Sequence, residues 1–114
     1  MIEGKIWGTT ELITANAVCE LHRIEIKAGG YCSKHKHQTK WNGFHVESGV
    51  LLIRIWNNEG REDETLLRAG QYTAVPPGVF HQFEAVEACL AFELYWAEYN
   101  PQDIQRETGG GVHV

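Results

Sequence analysis

From Arg23 to Trp96 the apolar residues fall into short runs, each cut off by turn-forming residues before a long helix could develop. In LHRIEIKAGG, Ile24 and Ile26 share one face while Arg23, Glu25 and Lys27 share the other, the period of two expected of a half-buried strand. That run ends at Gly29-Gly30. Further apolar runs follow at Phe44 to Trp56, Tyr72 to Val75, Val79 to Phe83 and Cys89 to Trp96, separated by NNEG, RAG and PPG. Closely spaced short strands predict an all-β chain forming a sandwich or closed barrel. Pro101 to Glu107, after the last strong strand, is the one segment expected to make a helical turn.

The chain has 114 residues, enough for one modest core. Pro is scarce, the only glycine cluster is Gly109 to Gly111, and no segment repeats, so one domain spanning 1–114 is expected. Its strand core should occupy about 15–98, with a C-terminal tail over about 99–114. The net charge is −5 and the basic residues are scattered among acidic ones, which gives no footprint for a phosphate backbone. Nucleic acid is therefore not an expected partner. The opening MIEGKIWGTT lacks the features of a signal peptide and no apolar run reaches membrane-spanning length, so the expectation is a cytoplasmic protein with no membrane partner. Cys19, Cys32 and Cys89 are odd in number and widely spaced, which fits reduced, partly buried thiols better than a disulfide framework.

Chemistry concentrates in two histidine-bearing segments. In KHKHQTKWNG, His35 and His37 are separated by one residue, so on an extended backbone both imidazoles project from one face toward one point. Alone, such a pair is as often a surface feature as a ligand pair. In GQYTAVPPGVFHQF a glycine turn, a strand and a Pro-Pro-Gly turn precede His81, and the turn fixes where that histidine points.

These segments resemble the two motifs of the cupin superfamily, G-x5-H-x-H-x(3 or 4)-E-x6-G and G-x5-P-x-G-x2-H-x3-N. Gly29, His35, His37 and Gly49 match the first, and Gly70, Pro76, Gly78 and His81 the second. The resemblance implies a double-stranded β-helix, the cupin or jelly-roll barrel, with one divalent metal on His35, His37 and His81. Asn42 occupies the slot of the family's glutamate ligand, and Ala85 that of the closing asparagine. Three neutral imidazoles then remain, with Asn42 Oδ1 or Gln38 Oε1 as a further oxygen ligand. A metal there would keep its full charge and favour an anionic or chelating ligand. Zinc, iron, nickel, cobalt and manganese all suit such a set.

A finer similarity touches the ends: KIWGTTELI, ELHRIEIKAGG and FELYWAEYNPQDIQRE look like the cupin domain of bacterial bifunctional mannose-6-phosphate isomerases. Asp103, Ile104 and Arg106 match that family's D-I-V-R segment with Gln105 for its valine, while its following acidic and D-x-Y-G-R residues are replaced by TGGG. The resemblance also implies a homodimer, for which LYWAEY, Trp7, Trp41 and Trp56 supply apolar surface or, equally, core.

Strand parity suggests what lines the cavity. If His35 and His37 point inward, Ser33 and Tyr31 follow; if His81 does, so does Phe83. In the last strand either Glu93 and Tyr95 or Phe92, Leu94 and Trp96 face in. The first choice offers Glu93 as a general base and Tyr95 as a hydrogen-bond donor, the catalytic pair of the reading. Arg54 and Lys40 either meet an anionic or sugar-like substrate or serve as solvated charges. His45 is expected outside the cavity, His22 among the core residues with a local partner, and His113 in the tail. Three activities are compatible: a sugar or sugar-phosphate isomerase or epimerase, a three-histidine iron dioxygenase, and a non-catalytic barrel that binds a small ligand.

Overall fold

The computed structural model describes residues 1–97 and 100–113. Seven strands run as β1 (Ile2–Lys5), β2 (Gly8–Ala15), β3 (Cys19–Ile26), β4 (Trp41–Trp56), β5 (Glu62–Leu67), β6 (Tyr72–Val75) and β7 (Phe80–Trp96), with no helix among the described residues. No helix is long and apolar enough to cross a membrane.

The backbone is organised by β4 and β7, long antiparallel partners that each serve two sheets. The first half of β4 pairs with the end of β7, from Trp41 with Trp96 to Val46 with Ala91, and its outer edge carries β6. Its second half pairs with the start of β7, from Leu51 with Ala85 to Trp56 with Phe80, and its outer edge carries β5. The register slips between Val46 and Leu51, where bulges let the ribbon bend from one sheet to the other. At that bend Gly49 has φ +84°, and a Cβ there would run into the Ala88 carbonyl oxygen. Glycine is required on both counts. Beyond β7 the first sheet continues through β3 and β2 to β1 at its edge.

The core lies between the sheets. Ile24 and Ile26 of β3, Phe44 and Val46 of β4, and Phe83 and Ala91 of β7 are buried, as period-two burial on each strand requires. The runs Val79 to Phe83 and Cys89 to Trp96 belong to one strand, because the polar residues between them stay paired across the bend. β1, β2 and β5 are strands that alternation did not single out: all four residues of β1 and five of six in β5 are exposed, so hydropathy carries little trace of them. Pro101 to Glu107 contains a turn at Pro101–Gln102 and no helix. Its isolated position after β7 offers no apolar face for a helix to bury. Of the run LYWAEY, Glu98 and Tyr99 lie outside the described residues.

Candidate metal centre

Between β3 and β4, residues 27–40 form no named strand but lie along β7, tied to it by isolated bridges from Tyr31 to Glu84 and from His35 to His81. His35 and His81 exchange both backbone hydrogen bonds, at 3.0 and 2.8 Å, and so sit directly opposite one another. The Pro76-Pro77-Gly78 turn then bonds back, with the Gly78 N–H donating to the His37 carbonyl at 2.8 Å. Two segments far apart in sequence are thereby clamped with their imidazoles together. Candidate nitrogens of His35, His37 and His81 all lie within 4.8 Å of one another.

Which nitrogens face inward is decided by the backbone. His35 Nδ1 donates to the Ser33 carbonyl at 2.7 Å, and His81 Nδ1 donates to the Val79 carbonyl at 2.9 Å. Each of these two histidines is held by the carbonyl two residues before it, which leaves Nε2 with the free lone pair when the ring is neutral. His37 Nε2 is buried without a hydrogen-bond partner.

Asn42 is wholly buried, and its amide donates from Nδ2 toward Glu93 Oε2 at 3.3 Å and the Leu94 carbonyl at 3.5 Å. That leaves Oδ1 facing His81 Nε2 at 3.0 Å. Burial lowers the pKa of His81, so its ring is neutral near pH 7 and two lone pairs meet across that gap. His37 is likewise pushed down to about 4, first by burial and then by the charge of Lys40 and the neighbouring imidazoles. Neutral rings with inward lone pairs, one of them unpartnered, are what a divalent cation needs, so the triad could hold a metal ion.

Glu93 and Tyr95 face inward, and Asn42 lies between Glu93 and His81. Glu93 is only 8 % exposed; burial raises its pKa, against hydrogen bonds from Tyr95 and Asn42 that lower it. Tyr95 is raised by burial and by the adjacent carboxyl, so its hydroxyl stays protonated and donates. The His37 ring lies edge-on to Tyr95 at 5.2 Å. A cavity of about 490 Å³ opens beside these groups, walled by His35, Glu93, Tyr95, His22, Glu20 and Lys40. A wider, more apolar groove of about 800 Å³ adjoins it, sharing Lys5, Trp7, Cys32 and Ser33. The smaller cavity carries the histidine and carboxylate groups.

Other sequence expectations divide. Phe83 is buried, as parity requires, and Ser33, though exposed, lines the smaller cavity, but Tyr31 is exposed and lines only the wider groove while Cys32 turns inward, where its sulfur accepts the Phe83 N–H at 3.2 Å. Strict alternation fails because this segment pairs with β7 only at isolated bridges. Gln38 is exposed, whereas Asn42 is wholly buried. Arg54 does not serve the cavity: its guanidinium pairs with Glu84 at 2.8 Å and lies near Glu62 and Glu64. His45, one residue beyond inward-facing Phe44, is half-buried away from the triad. His22 finds its local partners, Glu20 Oε2 at 3.1 Å and Thr10 Oγ1 at 3.3 Å. The backbone carbonyls of Ser33 and Val79, which aim two imidazoles, were not legible because a main-chain acceptor leaves no mark in sequence.

A family model described as "Cupin domain" matches residues 22–97. No curated protein matches. Among solved structures, KdgF from Halomonas sp. superposes with a TM-score of 0.72 at 14 % identity, over 88 % of each chain. An RmlC-like cupin from Shewanella frigidimarina gives 0.73 at 19 %, over 90 % of this chain and 86 % of that one. Oxalate decarboxylase from Bacillus subtilis, a protein with Mn(II) centres, gives 0.74 at 17 %, over 86 % of this chain but only 27 % of its own. At such identities the structural likenesses speak for the fold alone. With the family model spanning well over half its length, the chain belongs to the cupin family.

Proposed function

We propose that this cupin is a metal-dependent isomerase or epimerase acting on a small sugar or sugar phosphate, with His35, His37 and His81 as metal ligands and Glu93 as the residue that moves the proton. Tyr95 is the hydrogen-bond donor beside it. The observation that carries the reading is the buried Glu93 carboxyl, which faces the cavity and accepts from the Asn42 amide, whose Oδ1 lies 3.0 Å from His81 Nε2. When bound, a divalent ion would supply Lewis-acid polarisation of carbonyl and hydroxyl oxygens. Glu93, whose buried carboxyl is raised toward neutrality, exchanges its proton with the carbon beside a substrate carbonyl. The Tyr95 hydroxyl and the Asn42 amide hold that carboxyl. Asn42 in the glutamate slot adds no negative charge, which suits an oxygen-rich ligand. The sequence similarity to the cupin domain of mannose-6-phosphate isomerases supports the same class.

The test is solvent deuterium exchange. Protein loaded with zinc, manganese, cobalt, nickel or iron is incubated in D2O with aldoses, ketoses and their phosphates, and incorporation next to the carbonyl is followed by NMR. Exchange is expected, and Glu93→Gln should slow it by roughly 10²- to 10⁴-fold without loss of bound metal. Substrate consumption that requires oxygen and iron would replace this reading with a dioxygenase. Exchange that proceeds undiminished in Glu93→Gln would remove Glu93 from its role.

A further inference from the structure

The charges that line the cavity are mostly spoken for. Lys5 pairs with Glu3 at 3.2 Å, Glu20 meets His22 at 3.1 Å, and Glu93 is enclosed by Asn42 and Tyr95. Lys40 is different: it lines the same cavity, is half-buried, and makes no ion pair among the described residues. Its Nζ is held 4.3 Å over the Tyr95 ring, a cation–π contact that fixes the ammonium at the wall. The His37 ring lies 5.2 Å from the same Tyr95 ring, which puts the ammonium on the triad's side of the cavity. Lys34 and Lys36 also lie over aromatic rings, Trp56 and Phe80, but they are exposed and do not line this cavity, and Arg54 is satisfied by glutamates. The chain as a whole is acidic, so this unbalanced positive charge is a local feature.

A half-buried ammonium with no counter-charge loses hydration without recovering it, unless an anion completes the site. Resting on the reading above, we propose that Lys40 is the specificity-determining residue of this cavity and receives the carboxylate or phosphate of a substrate whose other oxygens reach the histidine triad. The compact ammonium offers three rotatable donors and discriminates mainly by charge. Tyr95 then serves both ends of the substrate, as platform for Lys40 through its ring and as support for Glu93 through its hydroxyl.

Ligands without a carbonyl separate this proposal from the isomerase reading, because they bind but cannot be turned over. Zinc-loaded protein is titrated calorimetrically with sorbitol, sorbitol 6-phosphate and gluconate. At least one charged polyol should bind about tenfold or more tighter than sorbitol, with an advantage that shrinks as salt rises. Whichever is preferred identifies phosphate or carboxylate as the anion read. Lys40→Met should erase the preference, Lys40→Arg should keep most of it, and zinc content should be equal in all three proteins. Sorbitol binding as tightly as both anions, or a preference that survives in Lys40→Met, would overturn the proposal. Failure of deuterium exchange would leave this binding result intact.

Discussion

At the residue scale the site separates side chains by the protonation state their surroundings enforce. His81 is 2 % exposed, with Nδ1 committed to a carbonyl and Nε2 turned inward. His81→Ala should therefore abolish stoichiometric zinc binding, measured by elemental analysis after dialysis, while the circular dichroism of the β fold persists; undiminished zinc would exclude His81 as a ligand. The thiols are governed by the same burial. Cys32 and Cys89 are buried and each is pushed up to about 11, whereas Cys19 is partly exposed. Thiolate is the reactive form, and at pH 8 a thiol with a pKa of about 11 is roughly one part in a thousand ionised. Iodoacetamide at pH 8 should thus label Cys19 first by mass spectrometry, with Cys32 and Cys89 labelled only on unfolding; prior labelling of Cys32 would contradict the burial. The histidine and glycine spacing made the triad legible in sequence. What spacing could not supply was the inward turn of Glu93 and Tyr95, since both faces of FELYW carry residues suited to a cavity wall.

At the element scale the decisive feature is the bend shared by β4 and β7. Alternation within β3 correctly placed Ile24 and Ile26 on one buried face, because that stretch follows the period of two without interruption. It missed that Phe80 to Trp96 is one strand, since Val86 to Ala88 are exposed at the bend and interrupt the apolar run although the odd-numbered residues stay inward on both sides. It missed β1 and β5 for a different reason: edge strands with exposed sides have no buried stripe to read. Gly49 is the point at which the bend can be tested. A methyl group there meets the Ala88 carbonyl and forces a side chain into left-handed backbone geometry. Gly49→Ala should cost roughly 2–3 kcal/mol or more, read from urea unfolding midpoints at an unchanged slope. Gly29 also has positive φ but has open space where its Cβ would lie, so Gly29→Ala should cost less. Equal costs would mean that the crowding against Ala88 is not what makes glycine necessary at the bend.

At the scale of the whole molecule, folding and metal binding are linked through the same neutral imidazoles. In the metal-free protein His37 is lowered to about 4 and His81 is lowered too, while the unfolded chain titrates near the ordinary value of 6.5. The native state therefore binds fewer protons across that interval. Stability is fully present above about pH 6.5 and is lost as pH falls toward 4, the direction expected when folding depresses a histidine. His37 retains some contact with solvent, which limits the loss to about 1–2 kcal/mol. Zinc held by the triad would bind the neutral form and so compete with protons; at one hundred times its dissociation constant it would add about 2.7 kcal/mol to stability, or roughly 10 °C in melting temperature. Thermal melts with and without zinc should therefore diverge at pH 7.5 and converge toward pH 5. In His81→Ala the zinc-induced rise should vanish at every pH, and the acid-induced loss should shrink because one depressed histidine is gone. Melting curves for the unmodified chain that coincide at pH 7.5 with and without zinc would mean that the convergence of the three rings is a packing arrangement and not a metal site.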